Sequence, residues 1–546
     1  MSFSIYMPTR WFFGAGALNE LGRQPLPGRT ALLVTSSGRS AKDSGSLYRV
    51  MELLAHSGAE FRLFDQVESN PSKDTVMAGA RFARRNGCDF VVALGGGSVM
   101  DAAKAIAAMS TNDGDLWDYV SGGSGKGLPL AHEPLPVIAI TTTAGTGSEV
   151  DQWGVVSNTE AREKIGFGGY DSLFPVLSIV DPELMATVPP DYTAYQGFDA
   201  LFHSVEVYIS RFANPFSDMV ALTAVENVAQ NLAAAVRCGS DMAARGKVAF
   251  ANTLSGYSMV TGCCTSEHAM EHAMSAFHRE LPHGAGLIMI SRAYYQHFVD
   301  LHVCDERFVR LAQAMGMSGA SRAQDFITAL ERLQADCGVD GLRMSDYGLT
   351  REELPELARN ARATMGGLFE SDPAALVLLL SLCLALAACG AEESPVSDAP
   401  AADDGLVDYT VEGVGTFRLP EGFEMETGST TDPLPTNYVV FEKDGVTISC
   451  SRFGKDAYEA AGVPLPADVE EYSTRSGVQN AVPAGTEFAY DSYGSYAAQF
   501  TDEDGISWYY VLLKGTDAYA SCYLYAPADA FDADSAALWI SGTVIE

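Results

Sequence analysis

The spacing of histidines and one aspartate indicates a metal site. Four of the nine histidines lie between His268 and His283. His268 and His272 are four residues apart in a segment of helical periodicity, as are Asp199 and His203, so each pair shares one helix face. Two such pairs on facing helices, with His283 in a loop, can form an Asp/His₃ site that suits iron(II), zinc or nickel. The alternative for a single pair is a solvated helix face.

A glycine-rich turn indicates a phosphate site. The apolar strand 90–94 leads directly into this turn, and a helix follows from Val99. Glycines let backbone N–H groups approach an anion, and the helix N-terminus favours negative charge, as in dinucleotide binding. The alternative is a tight turn in which a serine caps the helix and Asp101 completes a capping box. The turn consists of Gly95, Gly96, Gly97 and Ser98.

A second polar loop follows the next strand. Residues 141–149 read TTTAGTGSE and come directly after the apolar segment 136–140. Ligands bind at the carboxyl ends of strands in open α/β sheets. Two such loops therefore favour a nucleotide site over an ordinary polar loop with local backbone bonds.

The elements that must position these residues change character along the chain. Strands at 30–35, 60–66, 90–94 and 136–140 alternate with helices at 46–56, 73–86 and 99–109, which predicts a doubly wound parallel sheet. After residue 182 helical periodicity dominates, at 194–211, 217–235, 244–260 and 266–277. We therefore expect an α/β nucleotide-binding domain (1–184) followed by an all-helical metal-binding domain (185–373).

Composition limits the classes of protein. A chain of 546 residues predicts about three domains. The net charge of −35 argues against a nucleic-acid partner, which would need a basic surface. Ten cysteines are too few for a disulfide scaffold, and the first ten residues lack a secretory signal pattern.

The C-terminal part has a different character. Residues 390–546 carry 28 acidic and only 6 basic residues. They follow an uncharged run, 374–388, which ends in Leu-Ala-Ala before Cys389 and is similar to the lipidation box of a bacterial lipoprotein signal. A buried core helix is the alternative. The segment 374–410 is thus an apolar run with an acidic linker, in front of a domain at 411–546 built for export and lipid anchoring.

The domain at 411–546 is predicted to be α+β with an antiparallel sheet. Strands are expected at 437–443, 446–453, 495–500, 506–513 and 517–525, with Asp-Gly turns at 444–445 and 504–505 and a helix at 528–540. Cys450 and Cys522 are expected to pair in an oxidising compartment. No catalytic cluster is evident here.

Residues 1–373 resemble the iron-containing (group III) alcohol dehydrogenases. The matching stretches are GGGSVMDAAK (95–104), TTTAGTGSEV (141–150), IVDPEL (179–184), GFDALFHSVEVYIS (197–210), EHAMEHAMSAFHRELPHG (267–284) and MGGLFESDP (365–373). The resemblance implies a nucleotide-binding domain, a helical domain and a metal in the cleft between them.

The resemblance also implies roles for single residues. The metal ligands are Asp199, His203, His268 and His283. His272 matches a catalytic-site histidine near the nicotinamide that is not a ligand. Gly95 to Ser98 match the pyrophosphate loop, and further cofactor contacts are Asn70, Asp101, Thr142, Thr143, Thr146 and Lys164. The interval from His268 to His283 is fifteen residues where many relatives have fourteen, so His278 is a rival ligand.

The residues after the first strand predict the cofactor. No acid lies within 36–42, whereas Arg39, Ser40 and Lys42 could contact a 2′-phosphate. NADP(H) is therefore expected over NAD(H). Solvated loop charges are the alternative.

The expected function is hydride transfer between a nicotinamide cofactor and a small alcohol or aldehyde, with iron(II), or else zinc, as the metal. A cytoplasmic homo-oligomer is expected for the enzyme part. The alternative is an envelope lipoprotein whose C-terminal domain binds a ligand or partner, with the enzyme part an accidental or vestigial fusion. A join of two neighbouring genes is a third interpretation.

Overall fold

A computed structural model describes residues 3–373 and, beyond them, the strands and short connections within 406–545. Those C-terminal residues are 406–411, 414–420, 422–430, 436–443, 446–454, 489–490, 496–501, 506–514, 518–527 and 544–545. The chain divides into two compact units at residue 394, and each unit is described by itself.

The first unit begins with eight strands. Six form a parallel sheet in the order β1-β8-β5-β4-β2-β3, and β6 and β7 pair as an antiparallel hairpin. The strands are β1 (Arg10–Phe13), β2 (Thr30–Ser36), β3 (Glu60–Val67), β4 (Phe90–Gly95), β5 (Val137–Thr141), β6 (Trp153–Asn158), β7 (Glu163–Gly168) and β8 (Leu177–Val180).

Helices cover both faces of the parallel sheet, because its central strands are apolar on both sides. The helices are α1 (Ser40–Asp43), α2 (Ser46–His56), α3 (Lys73–Arg85) and α4 (Gly97–Thr111). On one face Val76 of α3 and Ile106 of α4 pack against Val91. On the other, Val50 of α2 packs in a core with Val92 and Ile138. This is the doubly wound arrangement that the alternation of elements predicts.

The remaining described part of the first unit, residues 182–373, is mainly helical. Its core contains aromatic side chains such as Phe198, Phe202 and Tyr295. The helices are α5 (Pro190–Ile209), α6 (Pro215–Arg237), α7 (Met242–Thr261), α8 (Ser266–Phe277), α9 (His283–Asp300), α10 (Asp305–Ala314), α11 (Gln324–Cys337) and α12 (Leu354–Glu370). Among the described residues α6 is the one helix long and apolar enough to cross a membrane, and it packs against α5 and α7.

The second unit contains two antiparallel sheets that share one core, in which Phe417 and Leu419 of one sheet meet Phe441 and Ile448 of the other. The sheet orders are β18-β10-β9 and β11-β12-β13-β17-β16-β15-β14. The strands are β9 (Leu406–Val411), β10 (Gly415–Pro420), β11 (Glu424–Thr430), β12 (Thr436–Lys443), β13 (Val446–Gly454), β14 (Ala489–Tyr490), β15 (Tyr496–Thr501), β16 (Ile506–Lys514), β17 (Ala518–Pro527) and β18 (Val544–Ile545).

The predicted disulfide is confirmed. Cys450 on β13 and Cys522 on β17 are directly opposite each other in the sheet, and both are buried. The apolar run 374–388, most of the linker, both Asp-Gly turns and the helix expected at 528–540 lie outside the described residues.

Candidate functional site

Two helices and the start of a third bring the metal-site residues together. Asp199 and His203 lie one turn apart on α5, His268 lies on α8, and His283 is the first residue of α9. The Oδ1 atom of Asp199 is 3.5 Å from Nδ1 of His203, 3.3 Å from Nε2 of His268 and 3.6 Å from Nε2 of His283. The geometry thus gathers three imidazole nitrogens from distant parts of the chain around one carboxylate oxygen.

Two buried glutamates contact the imidazole rings of His268 and His283. Glu206 Oε2 contacts Nδ1 of His268, and Glu271 Oε2 contacts Nδ1 of His283. A carboxylate on one ring nitrogen fixes the imidazole's orientation and leaves the other nitrogen for a metal. Sequence reasoning missed both glutamates, although Asp199, His203 and Glu206 follow one helix face at intervals of four and three.

The electrostatics of the cluster follow from burial and close approach. Burial alone would raise the pKa of the Asp199 carboxyl, but the neighbouring imidazoles lower it to about 2. Burial, with the charge of His268, lowers the pKa of His203 to about 3. For His268 burial is outweighed by Glu206 and Asp199, which raise its pKa to about 10. The cluster therefore holds a carboxylate and a neutral imidazole in close contact.

The residues fit a divalent metal. One carboxylate and three imidazoles are a donor set for iron or zinc. Nδ1 of His203 is buried and has no hydrogen-bond partner among the described residues, although it faces Asp199. Buried polar atoms are normally paired, so an unpaired ligand nitrogen in this position indicates a missing partner.

His272 and His278 differ in position. His272 is buried on α8, with its ring 5.3 Å from that of His283, and its Nδ1 has no hydrogen-bond partner in the described part of the chain. Burial, together with the charge of Lys164, holds the pKa of His272 well below its ordinary value. His278 points elsewhere, with Nε2 3.3 Å from Glu353 Oε2, and does not line the cleft.

A cleft of about 1070 Å³ joins this cluster to the glycine-rich turn. The predicted residues that line it are Asn70, Gly96, Gly97, Ser98, Asp101, Thr143, Thr146, Lys164, Asp199, His203, His268, His272 and His283. A Cβ atom on Gly97 would lie 2.3 Å from Thr146 Cγ2, and one on Gly96 would lie 2.8 Å from Thr143. Only glycine therefore allows this close approach of the two loops.

The capping-box alternative for the turn is wrong. Helix α4 begins at Gly97, and its N-cap, Gly96, makes no side-chain capping bond. Asp101 instead accepts hydrogen bonds from Ser148 Oγ (2.7 Å) and Val155 N (3.0 Å). Burial raises the pKa of Asp101 to about 6. Its carboxylate thus ties α4 to the second loop and to β6.

Some predicted cofactor residues line the cleft and also bond to other parts of the protein, whereas others do not line it. Lys164 on β7 donates to Ser275 Oγ (2.8 Å) and Glu271 Oε2 (3.2 Å), which places it behind the metal cluster. Asn70 has a positive φ of 50° and donates to the carbonyl of Arg279. Ser40, Gly95 and Thr142 do not line the cleft.

The basic residues after β2 are already paired. Arg39 lies 3.2 Å from Asp43, and Lys42 Nζ lies 2.7 Å from Asp65 Oδ2. Ser36, at the end of β2, lines the cleft. The sequence pattern did not reveal Asp65, because that residue comes from the neighbouring strand β3.

Comparison with known proteins yields consistent matches. The family model described as iron-containing alcohol dehydrogenase matches residues 8–182, and the C-terminal model of the Fe-containing alcohol dehydrogenase family matches residues 193–374. The 1,3-propanediol dehydrogenase of Klebsiella pneumoniae is 35% identical over 368 residues, which cover 66% of this chain and 92% of that protein.

Two further matches extend the comparison. The NAD-dependent methanol dehydrogenase of Bacillus methanolicus is 29% identical, with coverage of 66% of this chain and 93% of that protein. The solved structure of an archaeal halo-thermophilic alcohol dehydrogenase from a Red Sea brine pool matches with a TM-score of 0.67 and 33% identity, over 71% of this chain and 99% of that one.

Proposed function

Because the chain belongs to the iron-containing alcohol dehydrogenase family, we propose that residues 1–373 transfer a hydride between a nicotinamide cofactor and a small alcohol or aldehyde. The observation that carries this proposal is the convergence of three imidazole nitrogens on Asp199 Oδ1, at 3.3–3.6 Å, in the same cleft as the glycine-rich turn. A metal site and a phosphate site in one cleft are what this chemistry requires.

The chain's own residues prepare the metal site. A bound divalent ion supplies Lewis-acid polarisation of the substrate oxygen, and the nicotinamide supplies the hydride chemistry. Asp199, His203, His268 and His283 hold the ion. Glu206 and Glu271 accept from the outer nitrogens of His268 and His283 and keep both rings oriented.

The glycine-rich turn is proposed to hold the cofactor. Gly96, Gly97 and Ser98 lie at the N-terminus of α4 and line the cleft. The unpaired N–H groups and the dipole of a helix N-terminus favour a pyrophosphate. Asn70, Thr143 and Thr146 line the same cleft. Asp101 and Lys164 act indirectly, the first on the loop after β5 and the second on Glu271.

His272 is proposed to relay the substrate proton through Nδ1, because its lowered pKa favours passing a proton on over retaining it. Its unpaired Nδ1 and its place in the cleft, next to His283, support this role. His272→Gln should lower kcat by about 100-fold, within the range for general acid–base groups, and leave the metal content unchanged. Loss of the metal from this variant would instead make His272 a structural part of the metal site.

NADP(H) is proposed as the favoured cofactor. Ser36 places a hydroxyl at the end of β2, where a carboxylate would repel a 2′-phosphate. The Arg39–Asp43 pair is exposed and the Lys42–Asp65 pair is partly exposed. Such surface pairs are weak, so a phosphate can compete for both cations. The relative from Bacillus methanolicus is named as NAD-dependent, so the cofactor preference of this chain has to be measured.

A pair of serine variants tests the cofactor proposal. Ser36→Asp should lower kcat/KM with NADPH by about tenfold and leave kcat/KM with NADH nearly unchanged. Ser37→Asp, which adds the same charge at a neighbouring residue outside the cleft lining, is the control. A wild-type preference for NADH would reject the proposal outright.

The activity itself is tested by aldehyde reduction. The full chain should oxidise a reduced nicotinamide cofactor with propanal as acceptor, and Asp199→Ala should lose the activity by orders of magnitude together with its metal.

For the enzyme part we propose a cytoplasmic homo-oligomer, since reduced nicotinamide cofactors are intracellular. We keep export and lipid anchoring as a proposal for the segment after residue 373 alone.

A further inference from the structure

A thiol that the proposed reaction does not use lies beside the side chains of the proposed metal site. Cys264 is buried and lies two residues before α8, and its Sγ atom, one ring nitrogen of His203 and one of His268 all lie within 4.8 Å of one another. Asp199, His268 and His283 form another such group. Two overlapping sets of donors therefore share His268, one rich in oxygen and nitrogen and one containing sulfur.

The backbone around Cys264 is held in place. Its carbonyl oxygen accepts a hydrogen bond from Ser371 Oγ, and the Oγ1 of Thr265 donates to Glu206 Oε1 at 3.1 Å. Glu206 is also the carboxylate that contacts His268. Glu206 thus links the residue next to Cys264 to the His268 imidazole, and such supporting contacts favour a preorganised metal site.

We propose that a thiophilic divalent ion, zinc or cadmium, binds through Cys264 Sγ, His203 and His268 at a position offset from the one held by Asp199 and His283. Thiolate is a soft ligand that selects zinc over iron(II), and three protein ligands leave a fourth tetrahedral position open. On binding, a metal–sulfur bond forms and the Cys264 proton leaves to solvent. The inference rests on the proposed metal site, because the four ligands of that site include His203 and His268.

The consequence is competition between metals. An ion in the sulfur-containing set occupies His203 and His268, so iron(II) cannot use them at the same time. Asp199 and His283 then remain outside the coordination sphere. Zinc should therefore inhibit the iron-loaded protein by replacing the iron, and Cys264→Ser should make that inhibition much weaker.

Cadmium is the probe that tests the proposal, because cadmium–thiolate bonds absorb in the ultraviolet. The metal-free full chain should show a charge-transfer band that saturates at about one cadmium ion per chain. Cys264→Ser should lose this tight phase, with cadmium affinity lowered by about 100-fold or more, which exceeds what loss of an outer-shell partner costs. Cys263→Ser, the neighbouring half-buried thiol, is the matched control and should keep the band.

Variants of the other donors separate the two sets. Asp199→Ala should lose iron(II) binding and keep the cadmium band, whereas His268→Ala should lose both. Thermal melting of Cys264→Ser, and of Cys264→Ala as a second variant, distinguishes loss of the cadmium band from a failure to fold. An unchanged band in Cys264→Ser, or equal loss in Asp199→Ala, overturns the proposal. Binding of iron(II) without any cadmium band overturns it but leaves the proposed function standing, and failure to bind either ion removes both.

Discussion

At the scale of single residues, Asp199 Oδ1 is the central atom of the proposed metal site. Three imidazole nitrogens approach it, and all of the groups are buried or nearly so. Ionised groups are rarely buried unless they are paired or coordinate a metal. The close contact of like donor atoms here is therefore best explained by a cation that they share.

The proposed ligand at the start of α9 is tested by a histidine pair. His283→Ala should lose the bound metal and lower aldehyde reduction by orders of magnitude, because Nε2 of His283 is 3.6 Å from Asp199 Oδ1. His278→Ala should keep both, since His278 contacts Glu353. Elemental analysis of the two purified variants decides the assignment. Metal loss in His278→Ala with retention in His283→Ala would show that the ligand assignment is wrong.

The carboxylate behind His268 is tested separately. Glu206→Gln should weaken metal affinity by about 10- to 100-fold, the usual cost of losing such a partner, because the His268 ring loses its orienting acceptor. Glu226→Gln on α6 is the control on another helix, and its metal affinity should not change. A Glu206→Gln protein that binds iron(II) as tightly as wild type would contradict the role given to Glu206. Competition against a calibrated chelator measures both.

The sequence predicts the four proposed metal ligands, but it does not predict the side chains that orient them. Spacings of four residues on α5 and α8 place Asp199 with His203 and His268 with His272, and the resemblance supplies His283. The roles of Glu206 and Glu271 could not be assigned in this way, because a buried acid on an apolar helix shows its partner only once the helices pack. Asp65 escaped notice for the same reason, since it reaches Lys42 from another strand.

At the scale of elements, the close packing of the start of α4 requires a glycine at position 97. Gly97→Ala should raise the KM for the cofactor by about tenfold or more, because the new Cβ would lie 2.3 Å from Thr146 Cγ2 and push apart two loops that line the cleft. Gly341→Ala, where a Cβ meets nothing within 4 Å, is the matched control and should leave the KM unchanged. Steady-state kinetics at saturating aldehyde measure both, and an unchanged KM in Gly97→Ala would count against the phosphate loop.

Helices and strands up to α8 were predictable where the apolar pattern is long and periodic, but the short or polar strands β1, β6 and β7 were not. Helices α9 to α12 were expected only as part of a helical domain and were not predicted individually. The sequence places β2 to β5, α2 to α4 and α5 to α8 within a few residues of their observed bounds, because each has a sustained apolar pattern. β1 has only four residues, and the β6–β7 hairpin alternates poorly, so neither gives a clear signal. Their partners in the sheet, not their own sequence, make them strands.

At the scale of the whole molecule, the enzyme part is held together up to its last described residues. Asp372 accepts hydrogen bonds from Ser266 N (2.9 Å) and Ser266 Oγ (2.7 Å) at the start of α8. Ser371 O accepts from Arg211 N at 2.9 Å. The segment at 371–372 therefore supports the helix that carries His268 and His272.

Truncation tests where the enzyme ends. Residues 1–373 should reduce aldehydes as fast as the full chain, because the polar linker expected after the apolar run transmits little structure. A chain cut after residue 370 should be less stable by about 1–3 kcal/mol or more, because Ser266 loses its buried acceptor. Thermal melting and activity are measured for the chains that end at residues 370 and 373 and for a chain that ends near residue 390. Loss of activity in both longer truncations would show that the C-terminal part is coupled to the enzyme.

Activity as a function of bound iron is the most direct test of the central claim. The full chain is stripped with a chelator and reloaded stepwise with iron(II) in the absence of oxygen, and NADPH-dependent reduction of propanal is followed together with iron content. The account predicts no activity without metal, a linear rise, and a maximum at one iron per chain, with Asp199→Ala inactive throughout. Full activity in the stripped protein, or recovery of activity by Asp199→Ala, would contradict it.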